Sequence, residues 1–248
     1  MKSCVICLSI CLAALAVQAQ NYESIKATYM LTQYAKAKAD IDKQMGNAGF
    51  TSKPEAYILK ALIYATLAME EGTKNTSTGD QLTDGGDAAF IKYKEMDPSM
   101  RLLTDQVYQN GPINLYSGYY SSGYNDYSSG KWDNAYAKLK KAVVYSDLLL
   151  EKKLMTAPVD TIVLILAGIT AEKSNHKTDA ARYYSRLADK KITGEGFESV
   201  YRFLVSYYFA QKNYGLFEKY RSIGKELYTN SEFFLFDKVD FAVGLETT

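Results

Sequence analysis

The sequence predicts an all-α chain built from antiparallel helix pairs. Three observations predict it. Apolar residues recur at three- and four-residue spacing through most of the chain. No segment shows a sustained apolar–polar alternation bounded by hairpin turns. A small residue, followed twelve positions later by alanine and sixteen later by a large side chain, occurs twice, as Gly123, Ala135, Leu139 and as Gly168, Ala180, Tyr184. A small residue on one helix lets the next approach closely, and large neighbours fill the flanking space.

Composition agrees. The chain has 248 residues, 47% hydrophobic and 23% charged, with 16 Gly and 4 Pro, which excludes a collagen-like or largely disordered polymer. Lys and Arg number 29 against 28 Asp and Glu, so no strong field draws in nucleic acid or an acidic membrane surface. The 22 tyrosines are an excess of amphipathic aromatics that the fold must place.

In chain order, residues 1–19 read as a secretory signal peptide: Lys2, an apolar stretch from Cys4 to Val17 broken only by Ser9, then Val17-Gln18-Ala19 as the cleavage site and Gln20 as the new terminus. The stretch falls short of the ~20 residues a spanning helix needs. Cleavage removes Cys4, Cys7 and Cys11, leaving neither thiol nor disulfide. Ile6 and Ile10 precede Cys7 and Cys11, against lipidation, which needs a small residue there. The remaining 229 residues carry 28 basic and 28 acidic side chains. The compact leader and the lack of disulfides make the periplasm or cell envelope of a bacterium the expected location, with no transmembrane span after cleavage.

The stripe Ile25, Tyr29, Tyr34, Ala37, Ile41, Met45 predicts an opening helix over about 22–46. Ser52-Lys53-Pro54-Glu55 reads as a capping box opening a helix to about Met69. Gly72 to Asp87 reads as a solvated loop; its aspartates lack the alternating spacing of calcium loops. Ser117 to Gly130 holds three Gly, five Ser and four Tyr, a poor helix composition that repeat register nevertheless makes helical. The stripe Trp132, Ala135, Tyr136, Leu139, Ala142, Val143 follows. Further helices are expected over about 159–174, 178–190, 197–212 and 215–228. Ser231 to Phe241 resembles the first helix of another pair, open to three readings: a cap, a docking element for another chain, or part of a longer array.

Tyr57, Ala61 and Tyr64, then Gly86, Phe90 and Asp97-Pro98, together with the two Gly–Ala–large series, resemble the tetratricopeptide repeat, a helix–turn–helix unit. The resemblance covers copies at about 54–98, 99–152, 159–190 and 197–229 in a single domain from residue 20, with a partial helix over 231–248. The spacing from Gly123 to Gly168 is 45 residues, and from there to Val205 it is 37. The resemblance implies a right-handed α-solenoid whose first helices line a concave groove. It also implies binding of a protein or peptide there, without cofactor or chemistry. By register, Tyr120, Tyr124, Tyr127, Glu172, Lys173, Arg202 and Phe209 face that groove. Tyrosines so placed suit peptide recognition, and equally sugar rings stacked on Tyr120, Tyr124, Tyr127 and Trp132; the alternative is that they pack between helices. A third reading is an envelope-assembly adaptor docking through its C-terminal helix.

Catalysis lacks its parts. The single histidine, His176, sits in the expected turn Ser174-Asn175-His176-Lys177. One imidazole without thiolates makes a poor zinc site. Neither a phosphate-cradling Gly-Lys-Ser/Thr loop nor a Gly-x-Ser-x-Gly turn is present. The carboxylates are numerous enough for a two-carboxylate glycosidase, but solvated helix faces explain most of them better.

Overall fold

The computed structural model describes residues 21–246, all helix, turn and loop, with no strand among them. The stretch read from the sequence as a signal peptide, with Cys4, Cys7 and Cys11, lies outside the described residues. The chain divides into two compact units. One holds the described residues up to Ser122 together with Val144–Met155; the other holds Gly123–Val143 and the residues from Thr156 onward.

In the first unit, α1 (21–30) and α2 (Tyr34–Gln44) replace the single opening helix expected. The stripe is buried as predicted at Ile25, Tyr29, Ala37 and Ile41, but the chain turns at Thr32 in a left-handed conformation. After α3 (Ala48–Thr51), α4 (Pro54–Ala68) starts with proline at its first position, where the missing N–H costs nothing. No capping box forms: Lys53 caps α4 without a side-chain bond, and Ser52 Oγ donates to the Gly49 carbonyl of α3. α4 is buried nearly all round, at Ala56, Ile58, Leu59, Ala61, Leu62, Ile63, Ala65 and Thr66.

α5 (Ser77–Met96) packs along α4 and takes in most of the stretch expected to be a loop. The Thr76 side chain caps it by accepting from Gly79 N–H. Its glycines serve contact rather than flexibility. A Cβ on Gly86 would meet the Ala61 carbonyl and the Ala65 nitrogen, each at 3.3 Å. On Gly79 it would collide with the Thr73 carbonyl. Backbone-to-backbone approach therefore outweighs the poor helix propensity of this segment. A 3-10 turn (Arg101–Thr104) leads into α6 (Gln106–Ser128), which runs, as does α7 (Trp132–Glu151), through both units.

The second unit continues with α8 (Thr161–Lys173), α9 (Lys177–Ala188), α10 (Glu198–Ala210) and α11 (Tyr214–Leu227). α8 packs on α9, α9 on α10 and α10 on α11. The C-terminal segment is not one helix: a 3-10 turn (Glu232–Phe234) precedes α12 (Lys238–Glu246). Asp237 starts the new helix by accepting from the Val239 and Asp240 N–H groups.

The two predicted small-to-large contacts are both present. A Cβ on Gly123 would lie 2.9 Å from Leu139 Cγ, and one on Gly168 would penetrate the Tyr184 ring. Ala135 and Ala180 are fully buried beside them. A third contact of the kind sets Gly224 of α11 under the Phe234 ring.

One hairpin turn recurs. Thr32, Gly130, Asn175 and Lys212 all have positive φ (59°, 72°, 61° and 56°), and a helix begins two residues after each. Every one donates its N–H to the carbonyl three residues back, and its successor donates to the one five back, for example Asn175 to Glu172 and His176 to Ala171. This is the Schellman closure, which satisfies two otherwise orphaned carbonyls. Gly130, Asn175 and Lys212 each fall seven residues after Gly123, Gly168 and Val205, so turn and packing contact share one register.

Gly168→Ala is expected to destabilise the chain by about 1–3 kcal/mol through overpacking, although alanine is the better helix former by ~1 kcal/mol. Gly215→Ala, where the nearest atom lies 3.9 Å away, should leave stability unchanged or raise it by up to about 1 kcal/mol. Urea unfolding midpoints separate the two signs.

Candidate partner-binding surface

The tyrosines of α6 divide by face, as the spacing implies. Tyr119 and Gly123 are buried, whereas Tyr124 is 49% exposed and Tyr120 and Tyr127 are half-buried. Tyr120 lies in the first unit, stacked on Tyr116 at 6.0 Å. Tyr124 and Tyr127 lie in the second.

There, the Tyr124 and Tyr127 rings stack at 6.1 Å, and Trp132, at the start of α7, meets Tyr127 edge-on at 5.7 Å. Trp132 keeps 36% of its surface exposed. Three aromatics thus line the hairpin between α6 and α7. Its geometry is held underneath by Asp126, a buried carboxylate that takes an ion pair from Lys138 of α7 at 2.8 Å. Tyr127 also stands near the phenol of Tyr184, which donates to Glu172 at 3.2 Å. Burial first, then Glu172 and Tyr127, push the Tyr184 phenol well above its ordinary range. Glu172 and Lys173 are exposed at the end of α8.

The remaining predicted residues fall elsewhere. Arg202 is exposed on α10 and paired with Glu198, its guanidinium 5.1 Å above the Phe233 ring. Phe209 is buried, with Phe217 and Phe241 each 5.5 Å away, and forms part of the wall of an apolar recess of about 660 Å³ with Phe233, Phe236 and Val243. Helix register fixes where Phe209 sits along α10 but not that Phe241 returns to cover it.

A polar cluster in the first unit escaped the sequence reading. Asp87 of α5 is buried and accepts from the Tyr145 hydroxyl of α7. The Tyr119 hydroxyl shares its proton between Asp84 at 2.8 Å and Asp87 at 2.9 Å, and Ser122 donates to Asp80 at 2.6 Å. Burial, reinforced by these carboxylates, raises the Tyr119 and Tyr145 phenols far above their ordinary value. The signal was present: Asp80, Asp84 and Asp87 share the i, i+4, i+7 spacing of a helix face. Assigning them to a loop hid it. The cluster joins α5 to α6 and α7 through hydroxyl–carboxylate hydrogen bonds.

In the second unit Asp179 accepts from the Tyr136 hydroxyl and pairs with Arg182 at 2.8 Å and Lys140 at 3.2 Å. The Tyr136 hydrogen bond holds the Asp179 carboxyl below the usual carboxylate range. His176 stacks on the Tyr136 ring at 4.2 Å in the turn predicted for it. Among the described residues no group of three or more His, Cys, Asp or Glu could hold a metal ion, and no helix is long and apolar enough to cross a membrane.

No protein-family model matches the sequence, and no curated protein matches it either.

Tyr145→Phe should lower stability by roughly 1.5–3 kcal/mol, the worth of a hydrogen bond to a buried charged acceptor, measured by urea unfolding. Asp105, held low by its Lys26 bond, and Asp179 both have depressed folded pKa values. Their contribution is therefore complete above the unfolded carboxylate value near 3.9 and is lost as pH falls through it toward the folded values. Thermal midpoints should stay level from about pH 7 to 5 and fall below about pH 4.

Proposed function

We propose that the chain is an exported helical-repeat scaffold, similar to the tetratricopeptide repeat and wound as a right-handed α-solenoid, that binds a protein or peptide partner without chemistry. The observation that carries this reading is the aromatic edge Tyr124–Tyr127–Trp132, half open to solvent on a hairpin whose backbone is fixed by a recurring turn. Tyrosine and tryptophan offer large rigid surfaces at small entropic cost, and their polar tips tolerate the hydrated state. Rigid presentation of such anchors is what recognition of an extended peptide requires.

The repeat assignment is supported by the shared register of turn and glycine contact at 123/130 and 168/175. Export rests on the leader-like pattern of the first nineteen residues. A scaffold role is in keeping with His176 engaged by Tyr136 and with carboxylates such as Asp87 and Asp179 committed to joining helices.

Immobilised protein and its Tyr124→Ala/Trp132→Ala variant, compared on solubilised envelope extract of the source cells, test the reading. A partner retained at least tenfold less by the variant, with unchanged far-ultraviolet circular dichroism, is expected. Equal retention of every bound protein by the two would contradict it.

A further inference from the structure

A second recess of the second unit, about 680 Å³, lies between the start of α10 and the turn after α11 and takes none of its lining from the aromatic edge. It mixes two chemistries. Phe233 and Phe236 give it aromatic walls, Phe236 being 49% exposed. Glu198, Arg202, Asn230 and Ser231 give it a polar side. Those polar groups are prearranged. Ser231 Oγ donates to Glu198 at 2.6 Å, Arg202 Nε donates to the same carboxylate at 2.7 Å, and a terminal nitrogen of Arg202 reaches Ser231 at 3.3 Å. The guanidinium is further held over the Phe233 ring.

Charge selects among occupants. Arg202 is already neutralised by Glu198, and Glu232 adds a negative charge to the lining, so an anion gains little. A purely apolar occupant would strand the polar side without water. A neutral ring bearing hydroxyls on its edge and C–H bonds on its faces meets both needs. The joined carboxylate and guanidinium accept and donate side by side, the Asn230 amide does both, and the phenylalanine faces cover the C–H surface. Tyr228 also lines the recess.

We infer that this recess is a binding site for a neutral saccharide. The volume falls within the ~300–1,000 Å³ range of small-ligand sites. This inference stands on residues distinct from the aromatic edge and survives or fails independently of it.

The test is ligand-observed NMR and calorimetry on the whole chain with glucose, N-acetylglucosamine, maltose and cellobiose, alongside a lysine-rich peptide and citrate. Saturable binding of at least one neutral sugar is expected, weakened about fivefold or more by Phe236→Ala and by Arg202→Met, and unchanged by Tyr124→Ala. Phe236 is half exposed, so its variant should keep the parent's thermal midpoint, which is measured in parallel. Absence of saturable binding by all four sugars overturns the inference. So does sugar binding indifferent to Phe236→Ala and Arg202→Met, or occupancy of this recess by the peptide or citrate alone.

Discussion

Helices in this chain meet where one of them has no side chain. Gly86 brings α5 onto the α4 backbone, Gly168 leaves room for the Tyr184 ring, Gly123 for Leu139, and Gly224 for Phe234. Glycine is a poor helix former, by up to ~1 kcal/mol relative to alanine at each position. It is retained inside helices because close approach lets a large ring bury against a neighbouring backbone, a gain of roughly 1.5–3 kcal/mol per side chain. The tyrosine excess follows from the same constraint. Tyr184, Tyr201 and Tyr220 fill space between helices with their rings while their hydroxyls reach Glu172, the Ile192 carbonyl and Asp189.

Closely packed helices also need a turn that leaves no buried carbonyl unpaired. The closure at Thr32, Gly130, Asn175 and Lys212 supplies it with four different residue types, three of them lacking glycine's freedom at positive φ. Conservation of geometry across such different residues indicates that the turn is imposed by the packing of the paired helices rather than by local preference. The aromatic edge at Tyr124, Tyr127 and Trp132 brackets one of these turns, so the proposed partner surface rests on a backbone closed by hydrogen bonds.

Much of this was legible in the sequence. The helices from α8 to α11 end within two residues or so of their expected bounds, because each has a clear stripe and a turn between. The buried face of α6 was readable from Tyr119 and Gly123 despite its serine and glycine content. The misreadings have physical causes. The stripe of the opening segment steps five residues from Tyr29 to Tyr34, about 140° out of phase for a continuous helix, and that step was the cue to the break at Thr32. The glycines and aspartates of α5 look like loop composition until a neighbouring backbone is placed against them. The apolar run after Ser231 conceals the break at Asp237, whose capping carboxylate was the available cue. Phe209 and the recess beside Arg202 depend on residues returning from far along the chain, which helical register does not encode.

The central claim is that glycine on one helix and a ring on its partner form a coupled pair that sets the hairpin. A double-mutant cycle on Gly168 and Tyr184 measures it most directly. The account predicts that the penalty of Gly168→Ala largely disappears in a Tyr184→Ala background, a coupling of at least about 1 kcal/mol. Additive effects of the two changes would contradict it.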